Sequence, residues 1–270
     1  MNTPIVDLQI VEDAIFGACT VVSHKSAATM QHLFAFDHSY MVFDFGDMRL
    51  MSPKGKVISP PKMYIKPARD HHFFYSIKEG GFYIVLRLAP AGFYELTGRS
   101  ASNFQRDFLS LSELFNPEAL AGLETKLEEH LTSKQVVPLV RNFFNEHLED
   151  TYFYPLQTVL KNIHTSQGKL VLSDLVGVCG CSTSTLARYF KMYVGMTPAL
   201  YLRLVRFSNF FHKLNGPEPK LNELAFEFMY YDQSHFIRDF KRFAGIKPSD
   251  YFGDNYKMLH EALGRYIPSK

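Results

Sequence analysis

The chain has 270 residues and a hydrophobic fraction of 46%, which allows two modest domains with their own cores and excludes an intrinsically disordered protein. Its three cysteines, Cys19, Cys179 and Cys181, are too few for a disulfide framework and fit a reducing compartment. The net charge is only +2, but residues 169–270 carry 14 Lys and Arg against 9 Asp and Glu, while the other residues carry 15 against 18. Such a basic C-terminal part favours a polyanion as its partner.

The start of the chain shows no basic segment followed by an apolar run, so the sequence predicts no signal peptide. Apolar runs such as residues 82–86 are much shorter than the roughly 20 residues that a membrane helix needs. We therefore expect a cytoplasmic protein without a membrane partner.

Residues 1–115 are predicted to form a β-rich domain. Residues 39–48 and 81–88 combine β-branched and aromatic side chains and end at Gly or Pro, as short strands do. Residues 52–56 and 59–61 contain Pro and Gly and are typical of loops.

The next segment, residues 116–154, is predicted to be helical. Leu120, Leu123, Leu127 and Leu131 recur every three or four residues between charged side chains, which indicates an amphipathic helix. Further helices are predicted near residues 136–148 and 156–163. The pattern leaves three roles open for this segment: covering its own core, linking two domains, or carrying a dimer contact.

An internal repeat decides the architecture of the C-terminal part. Shifting the sequence by 50 residues aligns two copies of one pattern: an apolar residue, Arg, Phe, Lys, and then Gly, Pro and Tyr at fixed distances. The aligned pairs are Ser184 with Ser234, Leu186 with Phe236, Arg188 with Arg238, Phe190 with Phe240, Lys191 with Lys241, Gly195 with Gly245, Pro198 with Pro248, and Tyr201 with Tyr251.

Each copy is interpreted as a helix-turn-helix unit. In the first, Gly180 supplies the turn and Ser182 the N-cap of the second helix; in the second copy, Asp232 is the N-cap. Leu221 and Leu224 are assigned to the packing helix of the second unit. Thr197 and Pro198 begin a connecting helix of about 25 Å.

These motifs resemble the AraC/XylS family of bacterial transcription regulators. Residues 225–251 of the second copy are similar to the family signature, and residues 182–198 match nearly as well. The family usually has Gly-Phe in the second turn, where this chain has Met229-Tyr230. The resemblance implies an α+β protein: a β-rich sensor-like domain (1–115), a helical linker (116–154), an all-α DNA-binding domain with two helix-turn-helix units joined by a long helix (155–254), and a C-terminal tail (255–270).

The implied function is a sequence-specific, DNA-binding transcription regulator whose two recognition helices enter successive major-groove turns. The outward-facing helix positions give the candidate contacts with DNA: Thr183, Ser184, Thr185, Ala187, Arg188, Lys191, Gln233, Ser234, His235, Ile237, Arg238 and Lys241. Arg188 and Arg238 are candidates for reading guanine, and Lys191 and Lys241 for binding phosphate. The predicted partners are double-stranded promoter DNA, a small-molecule effector, a second copy of the chain and RNA polymerase.

Residues 82–98 resemble, more weakly, the sensor half of some AraC-like regulators. Strand residues of that half are candidates for contacting an effector: Tyr40, Phe43, Phe45, Tyr64, Phe74, Tyr83 and Arg87. An alternative is a regulator controlled by a protein partner rather than by a small molecule.

A metal-dependent enzyme in the N-terminal part is a second alternative. Its candidate ligands are His24, His32, His38, His71 and His72, but their spacing together with Glu79 does not complete a familiar metal set. Cys179 and Cys181 also lack a matched ligand pair, which favours core packing over a zinc site. The sequence shows no nucleotide or catalytic fingerprint, so we expect no enzymatic activity, no cofactor and no metal.

Overall fold

The structure, a computed structural model, describes residues 5–10, 16–23, 30–104, 106–129, 132–147, 156–212 and 225–251. The predicted C-terminal tail lies outside the described residues. The same holds for His24, Leu131, Leu221 and Leu224.

Ten strands form the N-terminal part of the chain. They are β1 (Ile5–Ile10), β2 (Phe16–Ser23), β3 (Gln31–Leu33), β4 (Tyr40–Asp44), β5 (Arg49–Met51), β6 (Val57–Ile58), β7 (Met63–Lys66), β8 (Phe73–Ser76), β9 (Phe82–Leu88) and β10 (Leu109–Ser110). They build a six-stranded antiparallel sheet, in the order β1-β2-β9-β4-β7-β10, and a four-stranded sheet, in the order β3-β8-β5-β6. The strand predictions at residues 39–48 and 81–88 are confirmed as β4 and β9, which are neighbours in the larger sheet.

Side-chain alternation gives the larger sheet two buried faces. On the inner face, Tyr83 packs with Phe73 and Tyr75 of the smaller sheet. On the outer face, Met41 and Phe43 pack under two helices, α2 (Pro117–Leu127) and α3 (Ser133–His147). A short helix, α1 (Gly92–Thr97), follows β9.

The leucines of α2 show why this helix forms and where it packs. Asn116 caps it by accepting a hydrogen bond from the amide of Glu118 at 2.7 Å, and Pro117 occupies its first turn. Leu120, Leu123 and Leu127 are buried in the outer-face core of the β-rich domain. Within the described residues, α2 therefore covers the sheet with its apolar stripe.

Helices make up the C-terminal part. They are α4 (Gln157–Thr165), α5 (Leu172–Cys179), α6 (Thr183–Tyr189), which continues into a π-helical turn (Phe190–Val194), α7 (Pro198–His212), α8 (Gln233–Ala244) and α9 (Pro248–Tyr251). The α+β class is confirmed, with a β-rich N-terminal domain and a helical C-terminal domain.

The 50-residue repeat is visible in the backbone as well as in the sequence. Gly195 and Gly245 end their helices with φ values of 87° and 77°, a left-handed conformation that glycine adopts without strain. Tyr201 and Tyr251 are both fully buried. Equivalent residues therefore have equivalent structural roles in the two units.

Candidate nucleic-acid interface

The first helix-turn-helix unit consists of α5, a tight turn and α6. Gly180 ends α5 with a φ of 63°, which confirms the predicted turn. Ser182 caps α6 by accepting a hydrogen bond from the amide of Thr185 at 3.1 Å. Leu186 and Phe190 are fully buried and mark the side of this segment that packs on the domain core. The opposite side of α6 therefore points away from the domain.

That outward face contains the candidate DNA contacts of the first unit. Thr183, Ser184, Arg188 and Lys191 are exposed, while Thr185 and Ala187 are half-buried. The guanidinium of Arg188 lies 5.7 Å from the ring of Tyr189, the next residue along the helix. Both cations of this unit therefore remain accessible to a polyanion.

The second unit presents α8 in a similar way. Asp232 caps this helix by accepting a hydrogen bond from the amide of His235 at 2.7 Å. Phe236 and Phe240 are buried and hold the helix against the domain core.

The outward face of α8 carries the second set of candidates. Gln233, Ser234, Arg238 and Lys241 are exposed, and His235 and Ile237 are half-buried. Arg238 donates a hydrogen bond from Nε to the carbonyl oxygen of Ser234 at 3.3 Å. Its other guanidinium nitrogens make no hydrogen bond among the described residues.

A buried ion pair fixes α8 to the connecting helix α7. Asp239 is fully buried and accepts two hydrogen bonds from Arg203, one of them from Nε at 2.9 Å. His235 Nε2 lies 3.8 Å from the same carboxylate. The hydrogen bonds with Asp239 raise the pKa of Arg203. Sequence reading missed this pair, because Asp239 stands at a position where the first copy has Tyr189.

The turn of the second unit has Met229 where the family usually has Gly, but its backbone keeps the left-handed conformation typical of glycine. Met229 has a φ of 58°, the left-handed conformation that a side chain disfavours by roughly 1–2 kcal/mol. Arg206 of α7 donates a hydrogen bond to the Met229 carbonyl oxygen at 3.2 Å. Its guanidinium also lies 5.8 Å from the ring centre of Tyr230. The side chain of Arg206 thus stabilises the turn through a hydrogen bond and a cation–π contact.

Arg242 is a further exposed cation on α8 that the sequence reading did not select. It lies four residues after Arg238, so both side chains share one face of the helix. The i, i+4 spacing could have identified it, but the repeat did not, because the first copy has Met192 at the equivalent position.

Helix α7 joins the two units. Thr197 caps it by accepting a hydrogen bond from the amide of Leu200 at 3.3 Å, and Pro198 is its first residue, as predicted. Its 15 residues give a length of about 22 Å. Its side chains Tyr201, Leu204, Phe207 and Phe210 are fully or nearly fully buried in the core of the helical domain.

Comparison with known protein families identifies this part of the chain. A family model described as "Helix-turn-helix domain", of the AraC type, matches residues 175–254. The match marks residues 175–254 as an AraC-type helix-turn-helix domain, the DNA-binding module of a transcription regulator. It spans both units, from α5 to beyond α9. No curated protein matches the regulator in sequence.

Solved structures give weaker likenesses. ToxT from Vibrio cholerae is 12% identical to the regulator, with 92% of this chain and 97% of that chain covered and a TM-score of 0.47. ToxT with a bound unsaturated fatty acid gives 13% identity, coverage of 93% and 96%, and a TM-score of 0.45. The AraC-like transcriptional activator CuxR is 16% identical over 76% of this chain and 86% of that chain, with a TM-score of 0.27. Because these TM-scores lie below 0.5, the likenesses do not establish a shared ligand or activity.

The candidate effector residues of the regulator divide between different surfaces. Tyr40, Tyr64, Tyr83 and Arg87 occupy the inner face of the larger sheet, where Tyr83 packs with the smaller sheet. Tyr64 Oη donates to the sulfur of Met48 at 3.6 Å, and Tyr83 Oη donates to Tyr75 Oη at 3.2 Å.

Three other candidates lie elsewhere. Phe43 packs on the outer face, under the helices. Phe45 stacks on Phe82 and lines an open surface cleft. Phe74 stacks on His32, away from the inner face that its neighbours Phe73 and Tyr75 share.

Sequence reading overlooked a cation on the inner face, Lys66 of β7. It is only 8% exposed, and its ammonium lies 4.5 Å from the ring centre of Phe73 in the opposite sheet. It shares a row across the larger sheet with Tyr40 and Arg87. Burial lowers the pKa of Lys66 to about 7.

The residues that suggested a metal enzyme do not come together in the described part of the chain. His71 Nδ1 lies 3.5 Å from Asp70 Oδ1. The ring of His72 packs beside that of His32, whereas Glu79 is exposed in a turn. Among the described residues, no three His, Cys, Asp or Glu side chains are placed to hold a metal ion. The metal-enzyme hypothesis therefore gains no support from them.

Cys179 and Cys181 are half-buried free thiols in the first turn, and burial raises the pKa of Cys179 to about 11. No helix in the described part of the regulator is long and apolar enough to cross a bilayer.

Proposed function

We propose that the regulator recognises specific promoter DNA by placing α6 and α8 in successive major-groove segments of one duplex. The observation that carries this proposal is the equivalence of two capped helices, which present Arg188 and Lys191, and Arg238 and Lys241, at matching exposed positions. The connecting helix of about 22 Å is compatible with groove segments about 34 Å apart, because each recognition helix adds reach beyond the ends of α7.

The two kinds of cation have different roles in this proposal. Arg188 and Arg238 read the guanine edge with two parallel hydrogen bonds, since the planar guanidinium matches the O6 and N7 acceptors. Lys191 and Lys241 bind phosphate, and the polar residues Ser184, Gln233 and Ser234 lie at the helix starts, where base edges are closest.

The proposal is tested on a site that the unaltered regulator selects from genomic fragments. Arg188→Ala is expected to lower the affinity for that site by about 5- to 150-fold and to relax the preference at one base pair. Lys191→Ala is expected to weaken binding to all sequences similarly and to reduce the slope of log affinity against log salt by about 1. Both are measured by fluorescence anisotropy across a salt series.

Lys54→Ala is the matched control, because Lys54 is an exposed cation in the β5–β6 turn of the other domain. If Arg188→Ala behaves like this control on selected and scrambled duplexes alike, base reading by α6 is wrong.

We further infer that a small molecule with an anionic group regulates this protein from the space between the two sheets. Support comes from Lys66 and Arg87, which bring two cations to the inner face on either side of Tyr40. A buried ammonium whose described contact is one aromatic ring would gain a charge-assisted hydrogen bond from such a ligand. Control by a protein partner, homodimerisation and a contact with RNA polymerase stay predictions.

A thermal-shift screen of carboxylates, phosphate esters and matched neutral alcohols tests the effector proposal. An anionic ligand at 100 times its dissociation constant is expected to raise Tm by about 5–10 °C. Lys66→Met should abolish this rise and Lys54→Met should preserve it. A rise that neutral analogues reproduce, or that Lys66→Met retains, would place the ligand elsewhere.

A further inference from the structure

The β-rich domain is docked on both helix-turn-helix units at once, and the first contact is with the end of the first recognition helix. Tyr94 of α1 packs against Tyr193 in the π-helical turn, with ring centres 4.5 Å apart. The amide of Ala101 donates a hydrogen bond to the Met192 carbonyl oxygen at 3.2 Å. Gly195 permits this approach, because a Cβ there would lie 2.8 Å from the Cβ of Ala101.

The second contact is with the last turn of α8. The amide of Ala35 donates a hydrogen bond to the Phe243 carbonyl oxygen at 2.9 Å. Arg242 donates two hydrogen bonds to Asp70, one of them from Nε at 2.9 Å. The ring of His72 lies directly on Gly245, where a Cβ would overlap the imidazole.

A third contact joins the β-rich domain to the connecting helix. Phe34 is 3% exposed and packs in the helical core, with its ring centre 6.4 Å from Phe207 and 6.0 Å from Tyr251. Asp37 accepts a hydrogen bond from the Ser208 hydroxyl at 3.3 Å. Together with α7, which packs against α4 and α8, these contacts close a ring from the first unit through the β-rich domain to the second.

The contacts with the two units described above lie in the π-helical turn that follows α6 and at the C-terminal end of α8. The side chains proposed to touch DNA, Arg188, Lys191, Arg238 and Lys241, stay exposed beside them. The β-rich domain therefore does not cover the surfaces that would read DNA. What it can fix is the position of one reading helix relative to the other.

We propose that the β-rich domain sets the spacing of the two DNA segments that this regulator reads, with Asp70, His72 and Ala101 as positioning residues. This inference rests on the proposed function above. A single connecting helix permits twisting and bending between the units, whereas a closed ring of contacts holds them in one arrangement. That pre-organisation favours a duplex whose two segments lie at one separation and one helical phase.

The test uses the full chain, the selected site, and copies of that site with one or two base pairs inserted between the segments. Each inserted pair moves one segment by about 3.4 Å along the axis, as well as around it. The unaltered protein is expected to lose about 30-fold or more in affinity for the inserted sites, because one reading helix loses its base contacts.

Two variants open the ring at different places. Ala101→Glu puts a charge into the contact with the first unit, and Asp70→Asn with Arg242→Gln removes the ion pair at the second unit without changing net charge. Both are expected to show less than about 5-fold loss on the inserted sites. The control, Asp47→Asn with Lys78→Gln, removes an exposed ion pair elsewhere in the same domain and should behave like the unaltered protein.

Thermal unfolding identifies a variant that fails to fold, and the charge-neutral double variant then decides alone. The proposal is overturned if the folded variants keep the spacing preference, or if the unaltered protein has none. It is also overturned if the variants bind every spacing more tightly, since the β-rich domain would then act by obstruction. Failure of the unaltered protein to select any site would instead contradict the proposed function.

Discussion

Replacing Arg203 with Met is expected to lower the free energy of unfolding by about 3–5 kcal/mol, although Arg203 itself is partly exposed. The cost arises at its partner: Asp239 is fully buried, and without the guanidinium its carboxylate loses the two hydrogen bonds that it accepts from Arg203. Met keeps the apolar stem of the side chain, so the change reports on the charge. Urea unfolding followed by circular dichroism measures it, because the chain has no Trp.

Asp239→Asn is expected to cost only about 1–2 kcal/mol, because it leaves Arg203 at a position that water can reach and keeps one acceptor for it. Adding Asp239→Asn to Arg203→Met should restore stability, since a neutral amide then replaces an unpaired buried charge. Lys78→Met, which breaks an exposed pair with Asp47, should cost much less than Arg203→Met, because solvent screens an exposed pair. If the double variant is less stable than Arg203→Met alone, the buried charge is not the origin of the effect.

Gly168→Ala is expected to destabilise the helical domain by about 2–4 kcal/mol. Gly168 follows α4 with a φ of 75°, and a Cβ there would lie 2.7 Å from the Leu202 carbonyl oxygen and 2.9 Å from the Arg206 amide of α7. Both are backbone atoms of a packed helix, so neither can move aside cheaply. Conformational strain and steric overlap therefore add at this one position.

Two other glycines separate these causes. Gly180 has a similar φ of 63° but nothing within 4 Å of a Cβ, so Gly180→Ala should cost only about 1–2 kcal/mol. Gly177 lies exposed inside α5 with open space around it, and Gly177→Ala should stabilise by about 0.5–1 kcal/mol. Equal losses at Gly168 and Gly180 would mean that the close approach to α7 contributes nothing.

The C-terminal domain could be predicted in detail because its signals are local. The caps Ser182, Asp232 and Thr197 and the turn at Gly180 depend on neighbouring residues alone, and the structure confirms each of them. Helix-turn-helix geometry then follows from the spacing of a few buried side chains, such as Phe190 and Phe240.

The β-rich domain was less predictable because its determinants are distant in sequence. The strands β4 and β9 pair although about forty residues separate them in sequence, and no local pattern predicts which strand lies beside β4 in the sheet. Aromatic residues occupy both faces of these strands, so the sequence did not separate Tyr40 on the inner face from Phe43 on the outer one. The sequence did not predict that Lys66 is buried, because lysine side chains are ordinarily exposed.

The same limit applies to helix α8. Sequence reading found Arg188 and Arg238 through the repeat, but it missed Arg242 and Asp239, which have no counterparts in the first copy. Their roles depend on Asp70 and Arg203, which belong to other elements and come close only through tertiary packing.

The π-helical turn after α6 makes the two units unlike in their last turns. Gly195 donates its amide hydrogen to Phe190, five residues back, whereas Gly245 donates to Lys241, four residues back. The two units therefore differ in the backbone hydrogen bonding of their last turns, despite the matching sequence. A promoter read by this chain is expected to be an asymmetric sequence rather than two identical halves, and such a sequence gives the bound protein a fixed polarity with respect to the start of transcription.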